Sequence, residues 1–205
     1  MQLYAITDRR LFASFETLME QAARWARSGV DFVQIREKDL ATADLAALAG
    51  GIVSAVRSTE GGTRVLLSGP AEMAAATGCD GVHLTANVSD AAITSARGAM
   101  RRVVADPVIS ISCHTLSEIE RARDHGATLA LFAPIFEKKT DLETVAGQGL
   151  GALADACRIA RPMPVFALGG VTAKNAEDCM HAGAQGIAAI RLFVSEDWRN
   201  LQLAG

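Results

Sequence analysis

Three short stretches of this 205-residue chain carry groups whose types and spacing can do chemistry. In Gln34-Ile35-Arg36-Glu37-Lys38 an apolar run leads into polar residues, so Gln34 and Arg36 share one face of an extended segment and Lys38 lies just beyond. An amide and two cations converging at a strand end suit a substrate with several phosphate oxygens, because Arg grips such oxygens bidentately and Lys acts as a mobile point charge. The bland alternative is a solvated loop in which Arg36, Glu37, Lys38 and Asp39 pair with one another; the strand-end position of Gln34 and Arg36 tips the balance toward binding. Ser112-Cys113-His114-Thr115 sets a hydroxyl and an imidazole beside a helix start. There Thr115 and Glu118 have the spacing of a capping box, His114 reads either as a general acid/base or as a packed polar residue, and Cys113 reads as packing. Gly169-Gly170 follows the apolar run 165–168, and its backbone amides, with those of the helix expected next, can receive an anion at close approach; a tight turn without a ligand explains the same pair equally well. Of the other histidines, His83 alternates with apolar neighbours and reads as barrel-lining, while His125 and His181 sit beside helix-ending glycines and read as caps.

The elements that must position these groups alternate along the whole chain. Apolar runs at 3–6, 32–35, 64–67, 82–84, 108–111, 128–132, 165–168 and 187–190 read as strands. Helical patterns at 14–28, 42–57, 70–77, 89–97, 116–124 and 150–160, and another after Gly170, separate them. A glycine that ends a helix just before a strand recurs at Gly29, Gly78, Gly126 and Gly183, at intervals of 49, 48 and 57 residues, each close to two strand-helix units. The longest interval contains the 133–149 loop. Four such pairs make eight strands, and continuous apolar strands buried on both faces predict a closed α/β barrel of the (β/α)8 type as one domain, residues 1–205. An open doubly wound sheet predicts a glycine fingerprint near the first strand, which is missing. In such a barrel chemistry belongs at the carboxyl ends of the strands, where all three stretches fall.

Composition narrows the partner. Apolar residues make up 50% and charged residues 21%, with a net charge of -3, which speaks against both disorder and a nucleic-acid-binding surface and points to a small-molecule partner. The first residues lack the charge order of a signal peptide, and no window has the length of a membrane span. Cys79, Cys113, Cys157 and Cys179 stand far apart, as expected of reduced thiols in the cytoplasm.

Taken together, Gln34 to Lys38, Asp80-Gly81-Val82-His83-Leu84, Ser112 to Thr115, Ala133-Pro134-Ile135-Phe136, and Leu168-Gly169-Gly170-Val171 with Asn175 resemble the thiamin phosphate synthases and their TenI-type thiazole tautomerase relatives over nearly the whole chain. The resemblance implies a TIM barrel that joins a pyrimidine diphosphate to a thiazole phosphate, with magnesium helping pyrophosphate to leave and the thiazole nitrogen capturing a pyrimidine cation. It further implies that Gln34, Arg36 and Lys38 contact the pyrimidine and pyrophosphate, that Ser112 contacts pyrophosphate, that Lys138 and Thr140 belong to a thiazole-phosphate loop, and that Gly169, Gly170, Ile190 and Arg191 surround that phosphate.

The chain departs from the family at the metal. An Asn-Asp pair is replaced by Ser68-Gly69, and a Gly-Gln-acid-Asp run by Thr85-Ala86-Asn87-Val88, so the usual magnesium ligands become Gly69 and Val88, with Asp90 or Glu72 as substitutes. The loop Glu137-Lys138-Lys139-Thr140-Asp141 keeps two lysines in a different order. The last helix is expected to be short, leaving a seam for a second copy of the chain to cover. Ser112 and His114 are the expected catalytic residues, and three functions follow: a synthase, a metal-independent tautomerase with His114 as its acid/base, or a barrel that binds a phosphorylated thiazole or thiamin phosphate without catalysis.

Overall fold

Apolar runs alternate with helices from end to end, and in a computed structural model of the chain the runs close into a barrel of eight parallel strands. These are β1 (Gln2–Ile6), β2 (Phe32–Ile35), β3 (Arg64–Leu67), β4 (Gly81–Leu84), β5 (Val108–Cys113), β6 (Leu129–Phe132), β9 (Val165–Leu168) and β10 (Gly186–Ala189). Between β6 and β9 a small antiparallel hairpin, β7 (Lys138–Lys139) with β8 (Thr144–Val145), stands apart from the barrel. The structure describes residues 1–139 and 144–201, and of Lys138, Lys139, Glu196 and Asn200 the backbone alone. Thr140 therefore lies outside the described residues. Among them, no helix is long and apolar enough to cross a membrane.

The helices are α1 (Phe15–Arg27), α2 (Thr42–Arg57), α3 (Ala71–Ala76), α4 (Asp90–Met100), α5 (Leu116–Asp124), α6 (Gly149–Ala160), α7 (Ala176–His181) and α8 (Arg191–Val194). Local chemistry sets their starts. Ser14 and Thr17 form a capping box on α1, and Thr115 and Glu118 form one on α5, as their spacing predicts. The four repeating glycines follow α1, α3, α5 and α7 with φ of 78°, 77°, 92° and 98°, a left-handed backbone that glycine alone adopts without strain.

Two layers of apolar side chains result. Tyr4, Phe32 and Phe166 meet inside the barrel with ring centres 5.5–5.8 Å apart, joined by Leu66, Val108, Leu129 and Leu131. Alternate strand residues, such as Val33, Ile35, Ile109 and Ile111, face outward and pack with the inner faces of the helices.

Three expectations are revised. The fifth strand runs on to Cys113, because Ser112 pairs with Leu131 and Cys113 with Phe132 in the sheet. The helix after Gly170 starts only at Ala176: Asn175 Oδ1 accepts from the Thr172 amide at 2.7 Å and Nδ2 donates to the Gly170 carbonyl at 3.1 Å, closing a turn ahead of it. The seam beside the four-residue α8 is covered by the same chain. A 3-10 segment, Glu196–Leu201, brings Trp198 against Phe193, both fully buried with rings 5.9 Å apart, and Trp25 Nε1 donates to the Phe193 carbonyl at 2.9 Å. A buried Trp removes about 200 Å² from water, worth about 5 kcal/mol at 25 cal/mol/Å², which holds this segment against the seam.

Candidate functional site

The carboxyl ends of the eight strands form one rim, and Gln34, Arg36, Lys38, Ser112, His114, Gly169, Gly170, Ile190 and Arg191 all lie on it. The side chains around it fall into three groups.

The first sits above β1 and β2, around a cavity of about 250 Å³ lined by Asp8, Arg10, Arg36, Glu37, Lys38 and Asp39. Its acids are all engaged by residues of the β1 loop. Glu37, 3% exposed, accepts from the Thr7 hydroxyl at 2.6 Å and from the Arg9 amide at 3.0 and 3.1 Å. Asp39 takes the Arg9 guanidinium at 3.0 and 2.9 Å, and Arg10 takes Asp8, a hydrogen bond that holds the Asp8 carboxyl below the usual carboxylate range. Thr7 Oγ1 also accepts from the Arg36 amide at 3.0 Å. The charge run thus does not neutralise itself. Glu37 and Asp39 turn to Arg9, and among the described residues neither Arg36 nor Lys38 has an ion-pair partner. Beside them Gln34 is 1% exposed, and its Oε1 has no hydrogen-bond partner. An unpaired buried amide oxygen costs about 1–3 kcal/mol, a debt that a ligand N–H would remove.

The second group crosses the barrel interior. His83 pairs with Ser110 in the β4-β5 register, and its ring reaches both serines of the alternating Ser110-Ile111-Ser112: Nδ1 to Ser110 Oγ and Nε2 to Ser112 Oγ, each 2.9 Å. The Tyr4 hydroxyl donates to Ser110 Oγ at 3.2 Å. Burial, then the charges of Arg36 and Lys38, push the His83 pKa down to about 3, so the ring is neutral at physiological pH and lies within the field of both cations. His83 does line the barrel, as its alternation predicts. Its link to Ser110 and Ser112 is the feature the sequence reading missed, although two polar residues at period two in an apolar interior were a signal.

The third group joins β5, β6 and β9. His114 Nδ1 lies 2.8 Å from the Ala133 carbonyl, which only accepts, so Nδ1 carries the proton and Nε2 is the nitrogen left for chemistry. Gln148 Nε2 donates to the same carbonyl at 2.8 Å, another contact that sequence did not flag. The segment after β6 then docks on the glycines: Ile135 N donates to Leu168 O and Phe136 N to Gly169 O, both at 3.0 Å. A Cβ on Gly169 would stand 2.7 Å from Pro134 Cα, and one on Gly170 2.7 Å from Phe136 Cβ, with φ of 91° and 68°. The close approach that demands these glycines is made by this chain's own backbone. Ile190 packs its side chain on the inner cluster, Arg191 is exposed, and α8 has no side-chain cap for its first amides. Cys113 is buried, with burial pushing its thiol up to about 12, which suits packing and not a nucleophile.

The β3 and β4 ends do not fit a magnesium centre. Gly69 and Val88 have no side-chain oxygen, the Val88 and Ala86 carbonyls accept from the Arg121 guanidinium, and Asp90 faces His125 at 3.3 Å and Arg121 at 3.7 Å instead of the pocket. Among the described residues no three of His, Cys, Asp or Glu gather to hold a metal.

The profile of the thiamine monophosphate synthase family matches residues 3–193. The chain belongs to this family. A thiamine-phosphate synthase from Methanoculleus marisnigri is 34% identical over 194 residues, 95% of this chain and 88% of that protein. A putative thiamine-phosphate synthase 2 from Aquifex aeolicus is 31% identical over 94% of this chain and 97% of its own length. Among solved structures, a thiamine phosphate pyrophosphorylase from Pyrococcus furiosus superposes with a TM-score of 0.78 at 26% identity, covering 98% of this chain and 94% of that one. A 3-hexulose-6-phosphate synthase, at 19% identity and a TM-score of 0.73, shares the barrel fold.

Proposed function

We propose that this chain is a transferase that couples hydroxymethylpyrimidine diphosphate to a thiazole phosphate, forming thiamin phosphate and releasing pyrophosphate. The observation that carries this reading is the pair of cations, Arg36 and Lys38, without an ion-pair partner among the described residues and near the buried Gln34, whose Oε1 has no hydrogen-bond partner. The CH2–O bond of the diphosphate breaks, its electron pair leaves with the pyrophosphate oxygen, and the thiazole nitrogen donates its lone pair to the pyrimidine methylene carbon. No proton has to move in that exchange. Leaving-group charge is met by Arg36, Lys38 and the Ser112 hydroxyl, and Gln34 Oε1 accepts from the exocyclic amine of the pyrimidine. Magnesium supplies Lewis-acid help to a leaving pyrophosphate in general, but the residues at positions 69 and 88 do not fit it, and the charge is assigned here to the protein's own cations. Gly170, Ile190 and Arg191 receive the thiazole phosphate, together with Lys138 and, by its place in the sequence, Thr140.

His114 supports a second reading. With Nδ1 tied to Ala133, Nε2 has no partner among the described residues, which suits a general acid/base for a thiazole tautomerase. Incubating the protein with the two phosphorylated substrates and detecting thiamin phosphate and pyrophosphate in equal amounts decides between them. Arg36→Gln should lower kcat/KM by about 10- to 100-fold, the worth of one charge-assisted contact. Isomerisation of a thiazole carboxylate phosphate without any coupled product would replace the synthase reading by the tautomerase.

A further inference from the structure

The row Tyr4, Ser110, His83, Ser112 has a direction, and the direction follows from counting donors. Tyr4 is fully buried, and Ser110 Oγ is the hydrogen-bond partner of its hydroxyl, so the phenol proton is directed to Ser110. Ser110 is also fully buried, and its one other side-chain hydrogen-bond partner among the described residues is His83 Nδ1 at 2.9 Å. If Nδ1 carried the ring proton, Ser110 Oγ would accept twice and its own proton would be buried without an acceptor, at a cost of about 1–3 kcal/mol. All groups are satisfied when Tyr4 donates to Ser110 and Ser110 donates to Nδ1. The neutral ring then carries its proton on Nε2 and donates it to Ser112 Oγ, 2.9 Å away. With its lone pair taken from below, the Ser112 hydroxyl turns its proton toward the rim.

We infer that Tyr4, Ser110 and His83 are positioning residues that hold Ser112 as a hydrogen-bond donor facing the site, set to meet an anionic phosphate oxygen and not to act as a base or nucleophile. The choice of ligand rests on the function proposed above; the direction of the row does not. Arg36 and Lys38 reinforce it, because two cations near His83 disfavour a second proton on the ring and so keep Nδ1 available as an acceptor.

Nitrogen-15 NMR of the histidine rings in the ligand-free protein reads the tautomer directly. The wild type should show His83 as a neutral ring protonated on Nε2 alone. Ser110→Ala removes the hydroxyl that donates to Nδ1, so His83 should become a mixture of both tautomers, and pyrophosphate affinity should drop about tenfold, the value of one hydrogen bond to a charged group. Tyr4→Phe leaves Ser110 still placed to donate to Nδ1 and should keep the Nε2–H tautomer. A wild-type ring protonated on Nδ1, or a charged ring at pH 7, would overturn the inference; so would a Ser110→Ala protein that keeps a pure Nε2–H tautomer or a Tyr4→Phe protein that loses it. A wild type with the expected tautomer in which Ser112→Ala binds pyrophosphate undiminished would leave the row intact and remove the anion reading instead.

Discussion

The hydroxyl of Thr7 donates to the carboxylate of Glu37 at 2.6 Å while its oxygen accepts from the Arg36 amide at 3.0 Å, so the loop after the first strand fixes the loop that carries both site cations. Glu37 separates Arg36 from Lys38 in sequence, and its carboxylate is taken up in a buried nest made by Thr7 and the Arg9 amide. This is how a run of alternating charge keeps its cations without ion-pair partners among the described residues. The acids are drawn off by a neighbouring strand end.

Removing that buried acid should therefore act on stability and on the site together. Glu37→Ala leaves the Thr7 hydroxyl and the Arg9 amide without their acceptor, and should lower unfolding free energy by about 3 kcal/mol, the usual penalty for breaking a buried charged pair. Glu37→Gln should cost less, since an amide oxygen still accepts from one donor. Urea unfolding followed by circular dichroism measures both, and an Ala variant as stable as the wild type would show that the nest does not hold the loops.

The depressed pKa of His83 makes stability depend on pH in a set direction. The unfolded ring takes up a proton near pH 6.5 and the folded ring only near 3, so below pH 6.5 the unfolded state binds the extra proton and the folded state loses ground. Between those limits each pH unit of acidification should remove about 1.4 kcal/mol through this group. Carboxylates such as Asp8, held below their usual range, add loss in the same direction, which is why the comparison matters. A His83→Gln variant should show a shallower fall in unfolding free energy from pH 6.5 to 4 than the wild type. Parallel curves would mean that His83 titrates normally in the folded protein.

His114 separates the two chemistries. Its ring is anchored to Ala133 and its Nε2 is free among the described residues, so His114→Ala should abolish turnover of a tautomerase and only modestly slow a synthase. Steady-state rates on both substrate sets, with wild type and variant side by side, give the answer.

The barrel was legible in the chain because two signals agree: continuous apolar runs of strand length, and glycines that must take a left-handed backbone at Gly29, Gly78, Gly126 and Gly183. The rim was legible because a closed parallel barrel puts every strand's carboxyl end on one side, which fixed where Gln34, Arg36, Ser112 and His114 would fall. The partners of those residues were not legible. His83 and Ser110 are 27 positions apart and meet only through the register of β4 and β5, and Thr7 and Glu37 are 30 apart and meet across β1 and β2. The Gly169-Gly170 pair was legible as a tight turn with room for an anion or without one, but the contact of Pro134 and Phe136 against it was not, because a contact between loops has no local signature. Likewise the short α8 suggested an open seam, because a 3-10 segment anchored by a single Trp198 carries no helical period to announce it.

Pyrophosphate titrated into the protein by calorimetry puts the weight on the two cations that the account depends on. Wild type should bind pyrophosphate with magnesium absent, and the Arg36→Gln/Lys38→Gln double variant should bind it at least about 100-fold more weakly, the worth of two charge-assisted contacts. Equal affinity in wild type and double variant, or binding that appears in the wild type only when magnesium is added, would contradict a site whose leaving-group charge is met by Arg36 and Lys38.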